Sequence, residues 1–83
     1  MIREENWAVP VGRIREFFRT QPDVTEWDGA FYWHSCRVCV GAAEHTPLGS
    51  LQIPRTLIEM TGEEADVDAL HRRFFLRFLS AGG

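Results

Sequence analysis

The chain contains no lysine; all nine of its basic residues are arginine. Arginine suits bidentate contacts with carboxylate or phosphate, but a coding preference for arginine explains the same bias without any ligand. Twelve acidic residues leave a formal net charge of −3. That argues against a nucleic-acid partner, because domains that bind polyanions are normally basic. Cysteine occurs only twice. Without a secretory context, this points to free thiols in a reducing, cytoplasmic setting. No apolar run follows Met1: "MIREENWAV" is charged and then aromatic, so neither a signal peptide nor a membrane span is expected. Internal repeats, low-complexity segments and linkers are absent. So are nucleophile motifs, phosphate-cradling glycine loops and paired-carboxylate motifs, which leaves no motif-level case for an enzyme or a cofactor.

What remains is an 83-residue sequence, 45% apolar and 25% charged, the balance of one globular domain spanning residues 1–83. Two segments have helical periodicity. In "PVGRIREFFRTQP", Val11, Ile14, Phe17 and Phe18 form an apolar stripe. Pro10 fits the first turn, and Pro22 stops the helix because the residue before a proline is pushed out of the α region. In "DVDALHRRFFLRFLSAGG", Val67, Leu70, Phe74 and Phe78 form a stripe that Phe75 and Leu79 widen. Its start is capped either by Asp66 or by the Thr61-Gly-Glu-Glu64 capping box. Acids at its N-terminal end and arginines toward its C-terminal end suit the helix dipole.

Between the helices the pattern is β. Asp28-Gly29 signals a tight hairpin, setting Trp27 opposite Ala30, Thr25 opposite Tyr32 and Val24 opposite Trp33. A long second strand runs from about Ala30 to Ala42. "EHTPLGSLQ" reads as a loop. A third strand covers Arg55 to Thr61 with Pro54 at its start, and Ser50 to Ile53 is a possible short extended piece before it. The order helix, strand, strand, strand, helix predicts an α+β two-layer sandwich, an antiparallel sheet with both helices on one face.

The stretch "FYWHSCRVCVG" holds both cysteines. Alternation along one strand puts Phe31, Trp33, Ser35, Arg37 and Cys39 on one face and Tyr32, His34, Cys36, Val38 and Val40 on the other. We assign the second set to the core, with the proviso that a bulge near Ser35 would swap part of it. The first set then forms an exposed aromatic face. The leading expectation is a non-enzymatic interaction module that dimerises or docks on a protein partner there, through Phe31, Trp33 and Arg37, with Trp27 or Trp7 at the rim.

Two alternatives come from other classes. His34, Cys36, Cys39 and His45 would supply four metal ligands if the segment turned; as a strand it sends Cys36 and Cys39 to opposite faces, away from a common metal or disulfide. His71 lies inside the apolar stripe, either satisfied by a carbonyl or carboxylate or acting as a base. Finally, the terminal Gly82-Gly83 resembles the tails of ubiquitin-like proteins and of the small sulfur carriers of thiamin and molybdopterin synthesis. That resemblance covers two residues. It implies a β-grasp fold whose last strand precedes the tail, and a Gly83 carboxylate that an activating enzyme adenylates. The same glycines also stand where a helix stop is expected, and we read them first as that stop.

Overall fold

Pro10 and Pro22 bracket the first helix as their chemistry requires. In the computed structural model, which describes residues 1–79, helix α1 spans Val11–Thr20 with Pro10 at its N-cap and Gln21 at its C-cap. It buries Ile14, Phe17 and Phe18, the stripe read from the sequence. The second helix, α2, spans Glu64–Phe78 and buries Val67, Leu70, Phe74 and Phe78. Asp66 is not its N-cap. Glu63 holds that position without a side-chain bond, and Asp66, in the first turn, instead accepts from Ser35 N at 3.1 Å and Ser35 Oγ at 2.7 Å. Ser35 Oγ in turn accepts from Glu63 N at 2.9 Å. A hydroxyl from a distant turn thus satisfies an N-terminal donor that no local cap reaches.

The strands are β1 Ile2–Trp7, β2 Thr25–Trp27, β3 Ala30–Trp33, β4 Cys36–Leu48 and β5 Leu51–Thr61. They form one antiparallel sheet in the order β1-β5-β4-β3-β2. The chain is therefore α+β with five strands and two helices. Its order is β-α-β-β-β-β-α, which corrects the expected α-β-β-β-α in two places, and a third correction lengthens two of the strands.

The first correction is β1, which precedes α1. Its inward residues are Arg3, Glu5 and Trp7, so it shows no apolar alternation. It is held instead by polar contacts to α2: Arg3 to Asp68 at 3.2 Å and His71 Nε2 to Glu5 Oε1 at 2.9 Å. The second is the long strand from Ala30, which breaks into a hairpin at His34-Ser35. His34 has φ of 50°, and among the described non-glycine residues only it and Asp28 have positive φ. A positive φ at the first central residue alone is the φ signature of a type II′ turn. The bonds from Ser35 to Asp66 and Glu63 hold this turn against α2.

The third correction is the expected loop at "EHTPLGSLQ", which is the tip of a β4–β5 hairpin closed at Gly49-Ser50, with Leu48 paired to Leu51. Glycine at φ of 62° fits the first central position of such a turn. Pro54 lies inside β5. It is tolerated because Ala43 pairs with Arg55 and Thr46 with Ile53, so Glu44 and His45 face Pro54 alone. That is a bulge, where a ladder donor is not demanded. Because β1 ends at the Trp7–Thr56 pair, the hairpin beyond it projects as a two-stranded arm from a molecule measuring 42 by 22 by 20 Å.

The Asp28-Gly29 hairpin has the expected register, with Trp27 opposite Ala30 and Thr25 opposite Tyr32. One core contains residues of both helices and of the sheet. Phe18 lies 5.5 Å from Phe31 and stacks on Phe74, and Phe17 meets Phe78 at 5.7 Å. Val38, Val40, Ile58 and Met60 supply the sheet side. The one buried polar side chain among the described residues, Thr56, donates to the carbonyl of Val9 at 2.6 Å.

Candidate functional site

The His34-Ser35 turn reverses the face assignment of β3. Register pairs Phe31 with Val38 and Trp33 with Cys36, so Phe31 and Trp33 face the core and Tyr32 and Arg37 face away. Phe31 is 1% exposed and cannot be the centre of a binding surface. The physical reason is the turn: one reversal of direction exchanges inside and outside. Trp33 is half-buried against the core. Its Nε1 donates to Asp23 at 2.9 Å, Arg73 lies over its ring at 4.9 Å, and His34 meets its edge at 4.3 Å. Arg73 also makes a two-pronged pair with Asp23, both contacts at 2.9 Å. The bonds from Arg73 and then Trp33 hold the Asp23 carboxyl well below the usual range. This cluster is an internal clasp between the β3 end, the loop after α1 and helix α2. Arg37 and Trp27 do lie on the outer face, with Trp27 67% exposed and its ring 6.5 Å from Tyr32.

The four possible metal ligands are separated. Cys36 is buried in the core and Cys39 is half-buried on the opposite face. His34 is exposed at the turn, and His45 is exposed in the bulge of the arm. Among the described residues no group of three His, Cys, Asp or Glu side chains could hold a metal ion. Burial, with a smaller contribution from the charge of Asp66, pushes the Cys36 thiol up to about 11, which makes it inert rather than nucleophilic.

His71 is satisfied by Glu5, whose Oε1 also accepts from Trp7 Nε1 at 2.9 Å. Burial raises the Glu5 carboxyl, but the Trp7 and His71 bonds more than offset it, so the group ends below its ordinary value. Of the six helix arginines, Arg13, Arg15, Arg19, Arg72, Arg73 and Arg77, three are engaged within the chain. Arg15 donates to the Val40 carbonyl, Arg19 to Glu26 and Arg73 to Asp23.

The surface that periodicity alone misplaces is the end of α2. Phe75 and Leu79 widen the apolar stripe on paper, but the core closes with Val67, Leu70, Phe74 and Phe78. Phe75 is left 38% exposed, Leu79 51% and Leu76 61%. Spacings of three and four residues place the three together on the helix surface. Arg72 lies beside Phe75, whereas Arg77 lies over Phe78 on the side of α1, and neither makes an ion pair among the described residues. The signal available in the sequence is an excess: seven large apolar side chains from Val67 to Leu79 are more than one stripe needs. The Gly82-Gly83 tail that follows lies outside the described residues. No helix among those residues is long and apolar enough to cross a membrane.

The family description "Archaeal MoaD-like protein" matches residues 23–83, which runs from the loop before β2 to the tail. No curated protein matches the chain. With more than half of its length matched, the chain belongs to the archaeal MoaD-like family.

Proposed function

We propose that this archaeal MoaD-like domain is a non-enzymatic docking module of the sulfur-carrier type. It binds a larger protein through the end of α2 and presents Gly82-Gly83 to that partner. The observation that carries this reading is the exposed apolar group Phe75, Leu76 and Leu79 on the last turns of the helix leading into residues 80–83. Family membership supplies the carrier type, since the match continues through the tail.

Chain geometry links the two. Four residues span at most about 14 Å when fully extended, so a partner that engages Gly82-Gly83 must lie against the end of α2. Arginine is enriched in binding hot spots, and Arg72 stands beside Phe75 at the edge of this apolar group. Covering the three would remove on the order of 250 Å² of apolar surface from water, worth roughly 6 kcal/mol before the costs of association. The tail follows a helix here, whereas the carriers it resembles place a strand before theirs. The docking element is accordingly the helix end rather than a sheet edge.

The test is incubation with an activating enzyme of the sulfur-carrier class and ATP, followed by intact mass measurement. The expected result is addition of one adenylyl group to the full chain and none to a chain lacking Gly82 and Gly83 whose circular dichroism is unchanged. A full chain that is never modified would refute the carrier reading and leave Gly82-Gly83 as a helix stop.

A further inference from the structure

The face of the sheet turned away from the core carries features that the carrier reading does not use. One row crosses all five strands on that face: Ile2, Thr61, Arg37, Tyr32 and Thr25. The next row sets Glu4 directly beside Glu59. Adjacent like charges on neighbouring strands are destabilising, and neither carboxylate has an ion-pair partner among the described residues. Two arginines share the face, neither in a direct ion pair, although Glu59 acts on Arg37 diagonally across the β4–β5 pair. Arg37 donates to the Tyr32 hydroxyl at 3.2 Å and Arg55 to Asn6 Oδ1 at 2.7 Å. Two unpaired acids and two unpaired arginines on one face make a surface whose charges complement a copy of itself.

Apolar groups continue along the same side. Leu57 and Ile2 are exposed in the sheet, and the alternation of β5 carries the stripe out to the exposed Leu51, opposite Leu48, on the arm. An isolated two-stranded hairpin is marginal in water, so an arm with leucines on one face gains from being covered. Strand-to-strand pairing is not how it would be covered, because Pro47, Pro54 and the bulge blunt its edges.

The geometry points to face-to-face association of two copies of this chain through the outer sheet face and the arm. At about 4.8 Å between strands and about 3.4 Å per residue, the sheet face from Arg55 to Thr61 covers on the order of 450 Å² and the arm adds on the order of 150 Å². Two such faces bury about 1,200 Å², the lower edge of the range for specific interfaces.

Sedimentation velocity of the full chain from about 1 to about 200 µM, a range in which interfaces of this size can associate, tests it. The wild type is expected to shift from monomer to dimer. Leu57→Glu is expected to weaken the dimer at least tenfold with unchanged circular dichroism. Glu4→Arg with Glu59→Arg makes the face wholly positive and is expected to abolish association. Adding Arg37→Glu and Arg55→Glu to that pair restores self-complementarity and is expected to restore the dimer. A wild type that stays monomeric overturns the inference, as does a dimer indifferent to Leu57→Glu and to the charge reversals. The outcome is independent of the carrier reading, which concerns α2 and the tail.

Discussion

Replacing Phe31 with alanine tests the corrected face assignment, because the two assignments predict opposite results. As a surface aromatic its loss would be nearly silent, since substitutions away from packed features usually stay within about 0.5 kcal/mol. In the structure Phe31 is 1% exposed, faces Val38 across the β3–β4 pair and lies 5.5 Å from the ring of Phe18. Truncating a buried phenylalanine removes its transfer free energy and leaves a cavity, a loss of about 3–5 kcal/mol. A domain of this length has a total stability of roughly 4–12 kcal/mol, so Phe31→Ala should remove a large share of it. For a domain this small, about 3 kcal/mol corresponds to a fall in Tm of at least about 12 °C. Urea titration followed by far-ultraviolet circular dichroism measures the change directly, with the exposed Trp27→Ala as the internal control at under about 0.5 kcal/mol. If Phe31→Ala cost less than about 1 kcal/mol, the inward placement of Phe31 and the turn at His34-Ser35 would both be wrong.

Further expectations follow from particular contacts. A Cβ at Gly62 would sit 2.5 Å from the carbonyl oxygen of Ser35 and 2.9 Å from its carbonyl carbon, on a residue with φ of 154°. Gly62→Ala should therefore cost about 1–3 kcal/mol, read as a lowered urea midpoint; an unchanged midpoint would contradict the close approach of β5 to the β3–β4 turn. A thiol-specific maleimide near neutral pH should label Cys39 alone in the native chain and both cysteines in denaturant, as counted by intact mass, because Cys36 is buried with its thiol pushed up to about 11. Equal native labelling would refute the opposite-face placement. The carboxyl of Asp23 is held low by Arg73 and Trp33, and that of Asp66 by the Ser35 side chain and backbone. A depressed folded-state value contributes stability above the unfolded carboxylate range that is lost as pH falls through the folded value. Thermal midpoints should therefore drop steadily from about pH 5 downward, and Asp23→Asn should flatten that slope; a parallel slope in the variant would remove Asp23 from the account.

The parts of the fold legible in the sequence were those carried by periodicity and by residues with one conformational meaning. Both helices follow from apolar spacing, α1 with its flanking prolines, and Asp28-Gly29 fixed the β2–β3 register because few other pairs accept positive φ twice. The missed features depend on partners far along the chain. β1 reads as a polar segment because its inward Arg3 and Glu5 are stabilised by Asp68 and His71, more than sixty residues away. The His34-Ser35 turn contains no glycine, proline, asparagine or aspartate, and its bonds run to Glu63 and Asp66. Gly49-Ser50 did carry a turn signal, but the prolines around it suggested a loop, since nothing local shows that a bulge absorbs Pro54. The candidate site follows the same division. Gly82-Gly83 was visible as a resemblance, whereas the exposure of Phe75, Leu76 and Leu79 appears only once the core is seen to close without them.

The central claim is that the end of α2 is the docking element. Nuclear magnetic resonance of the isotope-labelled full chain, titrated with an activating enzyme of the sulfur-carrier class, tests it most directly. The account predicts that amide signals of Phe75, Leu76 and Leu79 shift or broaden first, and that Leu76→Asp abolishes the effect without altering the rest of the spectrum. Perturbations confined to the outer sheet face around Arg37, Leu57 and Glu59, with the α2 end unchanged, would contradict it.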